Sequence, residues 1–319
     1  MILQLGVVMD PIEHINPVKD STLAMLLAAQ KRDWRLFTIG IDDLSWRDGR
    51  VMARCAPVEA RDDPKDWFTR QPAEERPLGE LDIVLMRKDP PFDMEYIYAT
   101  YLLELAEAEG ALVVNRPASL RDANEKAFTL HFPQCIPETL VSRSPEDYRR
   151  FLEEHETLIV KPLDGMGGAS IFRIARGDPN TNVILETLLA HGSRTAMAQR
   201  FLPEYIEGDK RILLIDGEPV DYALARLPAA GEGRANLAAG GSYKGVPLTD
   251  RDRWICEQVG PELKKRGLIF TGIDVIGDYL TEINVTSPTC IRELDRIFDL
   301  DIAGQLMDCL ADKLNAGTS

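Results

Sequence analysis

Cysteine and histidine are scarce in this 319-residue chain, with five of the first and four of the second. Cys55, Cys135, Cys256, Cys290 and Cys309 are odd in number, scattered and free of metal-type spacing. That excludes a disulfide framework and predicts a reducing, cytoplasmic setting with the thiols packed as small apolar groups. His14, His131, His155 and His191 form no triad-like or zinc-like pattern and read as structural or surface residues. Positive charge is also short: 37 Lys and Arg stand against 52 Asp and Glu, a net charge of −15. No basic stripe is available to neutralise a nucleic acid, so any polyanionic ligand needs a local cationic pocket or metal ions. No apolar run approaches the length of a membrane span, and the first ten residues lack the basic start and cleavage site of a signal peptide. The chain has no Gly-Lys dipeptide, which excludes a P-loop.

What is present is the composition of an ordinary globular protein, 45% hydrophobic and 28% charged, long enough for two or three domains. The first third alternates strand and helix. Strands are predicted over residues 3–9, 35–39, 82–86 and 112–114, and helices over 19–32 and 94–109. Solidly apolar strands in this order imply a parallel sheet. Residues 45–80 read as a polar, irregular surface excursion, and 119–132 as a helix. Polar, proline-stiffened loops follow three of the strands: Asp10-Pro11, Arg87-Lys88-Asp89-Pro90-Pro91 and Asn115-Arg116-Pro117. Open parallel sheets bind ligands at that edge. Arg87 is the candidate there for a substrate carboxylate, since a guanidinium meets it bidentately; a surface arginine in a loop is the other reading.

A lysine on a strand followed by a glycine loop, Leu158-Ile159-Val160-Lys161-Pro162-Leu163-Asp164-Gly165-Met166-Gly167-Gly168, points to phosphate binding. Backbone N–H groups without Cβ atoms in the way approach phosphate oxygens, and the lysine adds a point charge. Ser170 holds the place of the third glycine of a dinucleotide fingerprint, and a strand follows instead of a helix. A glycine loop between two strands suits a lid over phosphates, or an ordinary glycine-rich hairpin.

Asp274, Glu282 and Asn284 form a second constellation, on a hairpin predicted from strands 270–276 and 280–285. Glu282 and Asn284 share a face. Asp274 stands opposite Glu282 if the loop has an odd number of residues, such as Gly277-Asp278-Tyr279. Three oxygen donors of this kind suit Mg²⁺ shared with nucleotide phosphates, or simply the outward face of a strand. Thr286-Ser287-Pro288-Thr289 ahead of a helix offers free N–H groups to an anion, or a helix cap from Ser287 or Thr289.

Read together, these segments resemble the ATP-grasp superfamily and, within it, the prokaryotic glutathione synthetase family. The likeness runs in order through Gly6–Pro11, Leu85–Asp93, Ser119–Lys126, Lys161–Gly168, Asn236–Gly241 and Thr281–Pro288. It implies an α/β protein, α+β in its C-terminal part, with an ATP-grasp fold behind an N-terminal parallel-sheet domain. The expected divisions are an N-terminal substrate domain over residues 1–122, a lid subdomain over 123–200 and a C-terminal subdomain over 201–319. The resemblance also implies ligation of γ-glutamylcysteine to glycine with ATP through an acyl phosphate. Lys126 and Lys161 would contact phosphates and the adenine side, and the loop Gly165, Met166, Gly167 and Gly168 would cover the phosphates. The backbone around Gln199, Phe201 and Leu202 would hold adenine, and Asp209 the ribose. Asp274, Glu282 and Asn284 would hold Mg²⁺, or Mn²⁺ in its place, and Arg211 and Arg226 would stabilise the migrating phosphoryl group. Arg87, Arg234, Asn236, Thr286 and Ser287 would meet the substrate, with residues 227–245 closing over it. A tetramer or dimer is implied too. Ser242 stands where an arginine is expected. The rival readings are another ATP-grasp ligase, such as D-alanine–D-alanine ligase, and a non-catalytic ATP-binding regulator.

Overall fold

The central parallel strands of the N-terminal sheet have no polar face, and this decides how the molecule is layered. In the computed structural model, which describes residues 2–165, 170–228 and 242–317, β1 (Gln4–Val8), α1 (Ser21–Gln30), β2 (Arg35–Ile39), β3 (Leu44–Arg47), β4 (Arg50–Ala60), β5 (Phe68–Arg70), β6 (Glu74–Pro77), β7 (Ile83–Met86), α2 (Met94–Glu109), β8 (Leu112–Val114) and α3 (Pro117–Asp122) come first. The sheet runs β3-β4-β2-β1-β7-β8, with β2, β1, β7 and β8 parallel. On β7, Ile83 and Leu85 enter one apolar core, and Val84 and Met86 enter the other. Alternate residues thus feed opposite faces, as a strand covered on both sides must.

Residues 45–80 are not an irregular excursion. β4 crosses antiparallel to β2 and is itself paired by β3, β5 and β6. Its burial alternates, with Val51, Ala53 and Cys55 inside and charged neighbours outside. The polar half of that period-two pattern hid the strand. Residues 119–132 are likewise not one helix: α3 stops at Asp122 and a separate 3₁₀ turn spans Ala127–His131.

The second sheet is built from β9 (Thr139–Ser142), β10 (Thr157–Pro162), β11 (Phe172–Ala175) and β12 (Ala196–Arg200), in the order β11-β10-β12-β9, with α4 (Pro145–His155) and α5 (Thr181–Leu189) interleaved along the chain. Its core of Tyr148, Leu158, Val160, Ile174 and Leu185 is separate from the other two. The third sheet, β15-β14-β13-β16-β17, is wholly antiparallel: β13 (Asp209–Ile215), β14 (Glu218–Leu227), β15 (Ser242–Pro247), β16 (Phe270–Ile276) and β17 (Tyr279–Asn284). α6 (Asp250–Lys265) covers one face, where Ile255, Val259 and Leu263 share a core with Ile212, Ile273 and Ile283. α7 (Ile291–Phe298) and α8 (Ile302–Gly317) close the chain, α8 against α1 and β13.

Both large cores mix residues of the first and third sheets. A buried side chain stitches the two: Asn115, just past β8, donates to the carbonyls of Phe270 and Val285 at 2.7 Å each and accepts from Phe270 N at 2.9 Å. No helix among the described residues is long and apolar enough to cross a membrane.

One close approach demands glycine on both sides. Gly217, at φ +86° in the β13–β14 turn, abuts Gly260 of α6, and a Cβ on Gly260 would lie 2.2 Å from the Gly217 carbonyl oxygen. Gly260→Ala is therefore expected to destabilise the protein by about 1–3 kcal/mol despite alanine's better helix propensity. A thermal melt checks this, and an unchanged midpoint would contradict the contact.

Candidate active site

One face of the third sheet turns polar at its end, and the strand register assembles the charges. On β13, Asp209 and Arg211 point the same way. Arg211 pairs with Asp274 of β16, Asp209 with Arg226 of β14, Asp274 with Glu282 of β17, and Gly272 with Asn284. Asp274 does meet Glu282, but not through an odd loop. Ile276 pairs with Tyr279 across the two-residue turn Gly277-Asp278, and the register then slips at a bulge after Asp274. Thr281 bonds back from its hydroxyl to the Asp274 carbonyl at 3.1 Å. The extra residue brings both carboxylates to one face.

Asp274 is the hub. Arg211 grips it bidentately, with Nη2 to Oδ2 at 2.9 Å, and Arg226 Nη2 lies 2.9 Å from the same oxygen. Burial opposes its charge, but the two guanidiniums outweigh burial and hold its carboxyl well below the ordinary range. Arg226 also bonds Asp209. Burial pushes the Asp209 carboxyl up to about 6 against the pull of Arg226. Its Oδ1 finds no partner among the described residues.

Two lysines face this sheet from the other side of a cleft. Leu158 and Val160 of β10 point into the second sheet's own core, so Lys161 points the opposite way. Its Nζ donates to the Thr281 carbonyl at 3.5 Å and sits 3.9 Å from Glu282 Oε1. Lys126 Nζ lies 3.7 Å from the same oxygen, bonds Glu125 and donates to the Gly165 carbonyl at 2.6 Å. Burial lowers the Lys161 pKa, whereas for Lys126 the carboxylates of Glu282 and Glu125 outweigh burial and raise it. Gln199 lies on the same face of the second sheet as Lys161 and donates to the Thr139 hydroxyl at 3.2 Å. Phe201 and Leu202 form the link to the third sheet, with the Phe201 N–H on the Thr157 carbonyl at 3.1 Å and Leu202 buried.

At the carboxyl edge of the first sheet, the loops after β1 and β7 meet. Lys88 Nζ lies 2.9 Å from Asp10 Oδ1, and the Asp89 N–H donates to Asp10 Oδ2 at 3.0 Å. Arg87 is buried rather than at the surface. It donates from Nε to the Thr22 hydroxyl at 3.1 Å and from Nη2 to the Pro288 carbonyl at 3.0 Å, and its Nη1 has no partner among the described residues. Ser287 bonds Asp89 from its hydroxyl, and Thr286 is half-buried in the same turn. Neither Ser287 nor Thr289 caps α7. Cys290 holds the cap position, and the Ile291 N–H bonds Ser21 Oγ at 3.3 Å instead.

Met166, Gly167, Gly168, Arg234 and Asn236 lie outside the described residues. Two residues joined the site unannounced by the sequence. Tyr96 is almost wholly buried, has Arg87 and Asp89 as charged neighbours, and its hydroxyl has no partner among the described residues. Helical spacing marks it only as core. Glu125 is a half-buried carboxylate whose backbone carbonyl accepts from the Ile283 N–H at 2.8 Å. The four histidines take no part in these contacts.

The donor set Asp274, Glu282 and Asn284 fits a hard cation in chemistry: oxygens only, on neighbouring rungs of one face. Among the described residues no group of three His, Cys, Asp or Glu side chains stands ready to hold a metal alone. A cation here would take part of its coordination from phosphates and water, as Mg²⁺ does.

Two sheets closing on a cation-lined cleft, with a link through Phe201 and Leu202, define an ATP-grasp ligase. Solved structures agree on the fold: D-cycloserine synthetase superposes with a TM-score of 0.69 at 14% identity over 98% of this chain and 99% of that one. D-alanyl-alanine synthetase A from Vibrio cholerae does so at 0.60 and 12% identity over 98% of each. The family model for the prokaryotic glutathione synthetase N-terminal domain matches residues 3–121, and that for its ATP-grasp domain matches 125–299. The glutathione synthetase of Pseudomonas putida is 60% identical over 316 residues, 99% of this chain and all of that protein. That of Shewanella oneidensis is 57% identical over 98% of this chain and 99% of its own. The chain belongs to the prokaryotic glutathione synthetase family.

Proposed function

We infer that the protein joins the cysteinyl carboxylate of γ-glutamylcysteine to the amine of glycine, using ATP and releasing ADP and phosphate. The observation that carries this reading is the convergence of buried Lys126 and Lys161 on Glu282 across the cleft, beside the Arg211–Asp274–Arg226 cluster. A carboxylate repels nucleophiles and has no good leaving group, so it must first be phosphorylated. The amine then attacks the acyl phosphate and phosphate departs. No Ser, Cys or His nucleophile is needed; catalysis rests on cations held where charge builds up.

In this reading Lys126 and Lys161 bind phosphate oxygens, and Gly165, Met166, Gly167 and Gly168 lie over them. The backbone at Gln199, Phe201 and Leu202 takes adenine, and the unpartnered Asp209 Oδ1 accepts from ribose. Arg211 and Arg226, held straight by Asp274, meet the migrating phosphoryl group. Asp274, Glu282 and Asn284 would hold Mg²⁺, or Mn²⁺ in its place, which supplies charge neutralisation on the phosphates. Arg87, with Nη1 free, takes a substrate carboxylate beside the Tyr96 hydroxyl, and Arg234, Asn236, Thr286 and Ser287 complete the substrate side. The working divisions are residues 1–122, 123–200 and 201–319, in a homo-oligomer of two or four chains.

Phosphate release from ATP and γ-glutamylcysteine tests the reading. Release that requires glycine supports it; release with D-alanine instead points to a D-alanine ligase, and none with any amino acid to a regulator. Arg87→Ala should raise the KM for γ-glutamylcysteine about ten- to a hundredfold, the size of a lost charge-assisted bond, and leave the KM for ATP alone. An unchanged KM would remove Arg87 from the substrate site.

A further inference from the structure

A cavity of about 350 Å³ lies at the carboxyl edge of the first sheet, apart from the nucleotide cleft. Its size is at the lower end for small-molecule sites. Arg87 and Lys88 diverge at this point: Arg87 reaches Thr22 and Pro288, while Lys88 turns to Asp10. Asp10 and Lys88 line the cavity, and Arg87, Thr22 and Pro288 do not. The Asp10–Lys88 pair is therefore the wall between the two sites.

Thr38 also lines the cavity. It is only 6% exposed, and its hydroxyl has no partner among the described residues. Buried polar groups are rarely left unbonded, because each costs free energy until a partner is supplied. Strand order sets the charges around it. β2 and β7 flank β1, so Asp42, past the end of β2, and Lys88, past the end of β7, stand on either side of the β1 terminus. Arg70, the last residue of β5, adds a second cation, paired with Glu13 at 2.7 Å. Met9, Ile12, Ile39, Ile41 and Pro72 supply apolar wall between them.

We propose that this cavity is a second small-molecule site, taking a zwitterion with an apolar side chain: an α-amino acid or dipeptide whose ammonium meets Asp42, whose carboxylate meets Lys88 and Arg70, and whose polar backbone bonds the Thr38 hydroxyl. Opposite charges across an apolar floor select a dipolar ligand over a simple anion or cation. No residue of this cavity is assigned a role in the ligation, so occupancy and turnover are separable.

Calorimetric titration of the full chain with L-leucine and with L-leucyl-L-alanine, with ATP and γ-glutamylcysteine present to fill the active site, tests the proposal. Saturable binding by one of the two is expected, and which one binds reports the ligand's length. Thr38→Val removes the unpartnered hydroxyl at nearly constant shape, so the fold holds and binding weakens about fivefold, the size of one hydrogen bond. Asp42→Asn should weaken it by a similar factor, in keeping with a rim ion pair of about fivefold. Both variants should keep wild-type glycine-dependent phosphate release. The proposal is overturned by the absence of saturable heat up to about 10 mM, a weak-binding limit. It is overturned equally by unchanged affinity when Thr38→Val and Asp42→Asn are combined in one chain, or by 3-methylbutylamine, which lacks the carboxylate, binding as well as L-leucine.

Discussion

Glu282→Ala is expected to reduce turnover by about a thousandfold or more, the scale of losing a group that holds charge in place at a phosphoryl centre. Among the described residues, Glu282 is the one carboxylate within 4 Å of both cleft lysines, at 3.7 and 3.9 Å, distances too long for hydrogen bonds. It is therefore placed between the two cleft ammonium groups and the sheet, and not consumed by either. Removing it leaves two buried ammonium groups without their shared counter-charge, so some stability is lost as well. Glu282→Gln separates the effects: it keeps the shape and loses the charge. Far-ultraviolet circular dichroism alongside phosphate release provides the check. A folded Glu282→Gln protein with near-normal turnover would remove Glu282 from the proposed metal site.

Asp274→Asn has the second large effect, and it falls on stability as much as on rate. The wild-type carboxylate answers two buried guanidiniums at once, and breaking such a network by removing one partner typically costs about 3–5 kcal/mol. Activity is expected to vanish with it, because Arg211 and Arg226 lose the group that aims them. The pH dependence carries a sign. The folded carboxyl lies below its ordinary value of 3.8. The stability it contributes is fully present above that value and is lost as pH falls through the lower folded value. Urea denaturation should therefore show a constant gap between wild type and Asp274→Asn across the neutral range, narrowing only below about the unfolded carboxylate value. A gap that closed nearer neutrality would contradict the burial of this cluster.

Much of this site is legible in the sequence because its parts sit on regular elements. Lys161 precedes the glycine loop on a strand with alternating burial, and Asp274, Glu282 and Asn284 fall on a hairpin whose faces period two predicts. What period two cannot show is the bulge after Asp274, since an inserted residue leaves no compositional trace when, as with Thr281, it is itself a good strand former. Lys126 is marked only by resemblance, for nothing local distinguishes a buried lysine from an exposed one. The β3–β6 additions to the first sheet were hidden by polar outward residues such as Arg50, Arg54 and Glu59. Tyr96 was hidden for the opposite reason: its ring belongs to the core and only its hydroxyl lies within the field of the Arg87 charge. Asn115 stands in a loop motif by sequence, yet its three bonds to Phe270 and Val285 tie the first sheet to the third, a long-range role no local pattern reports.

The most direct test follows one oxygen atom. With oxygen-18 in the cysteinyl carboxylate of γ-glutamylcysteine, the account predicts one labelled oxygen in each phosphate released during glycine-dependent turnover, carried there through the acyl phosphate. Phosphate that emerges unlabelled while the amide forms would contradict it.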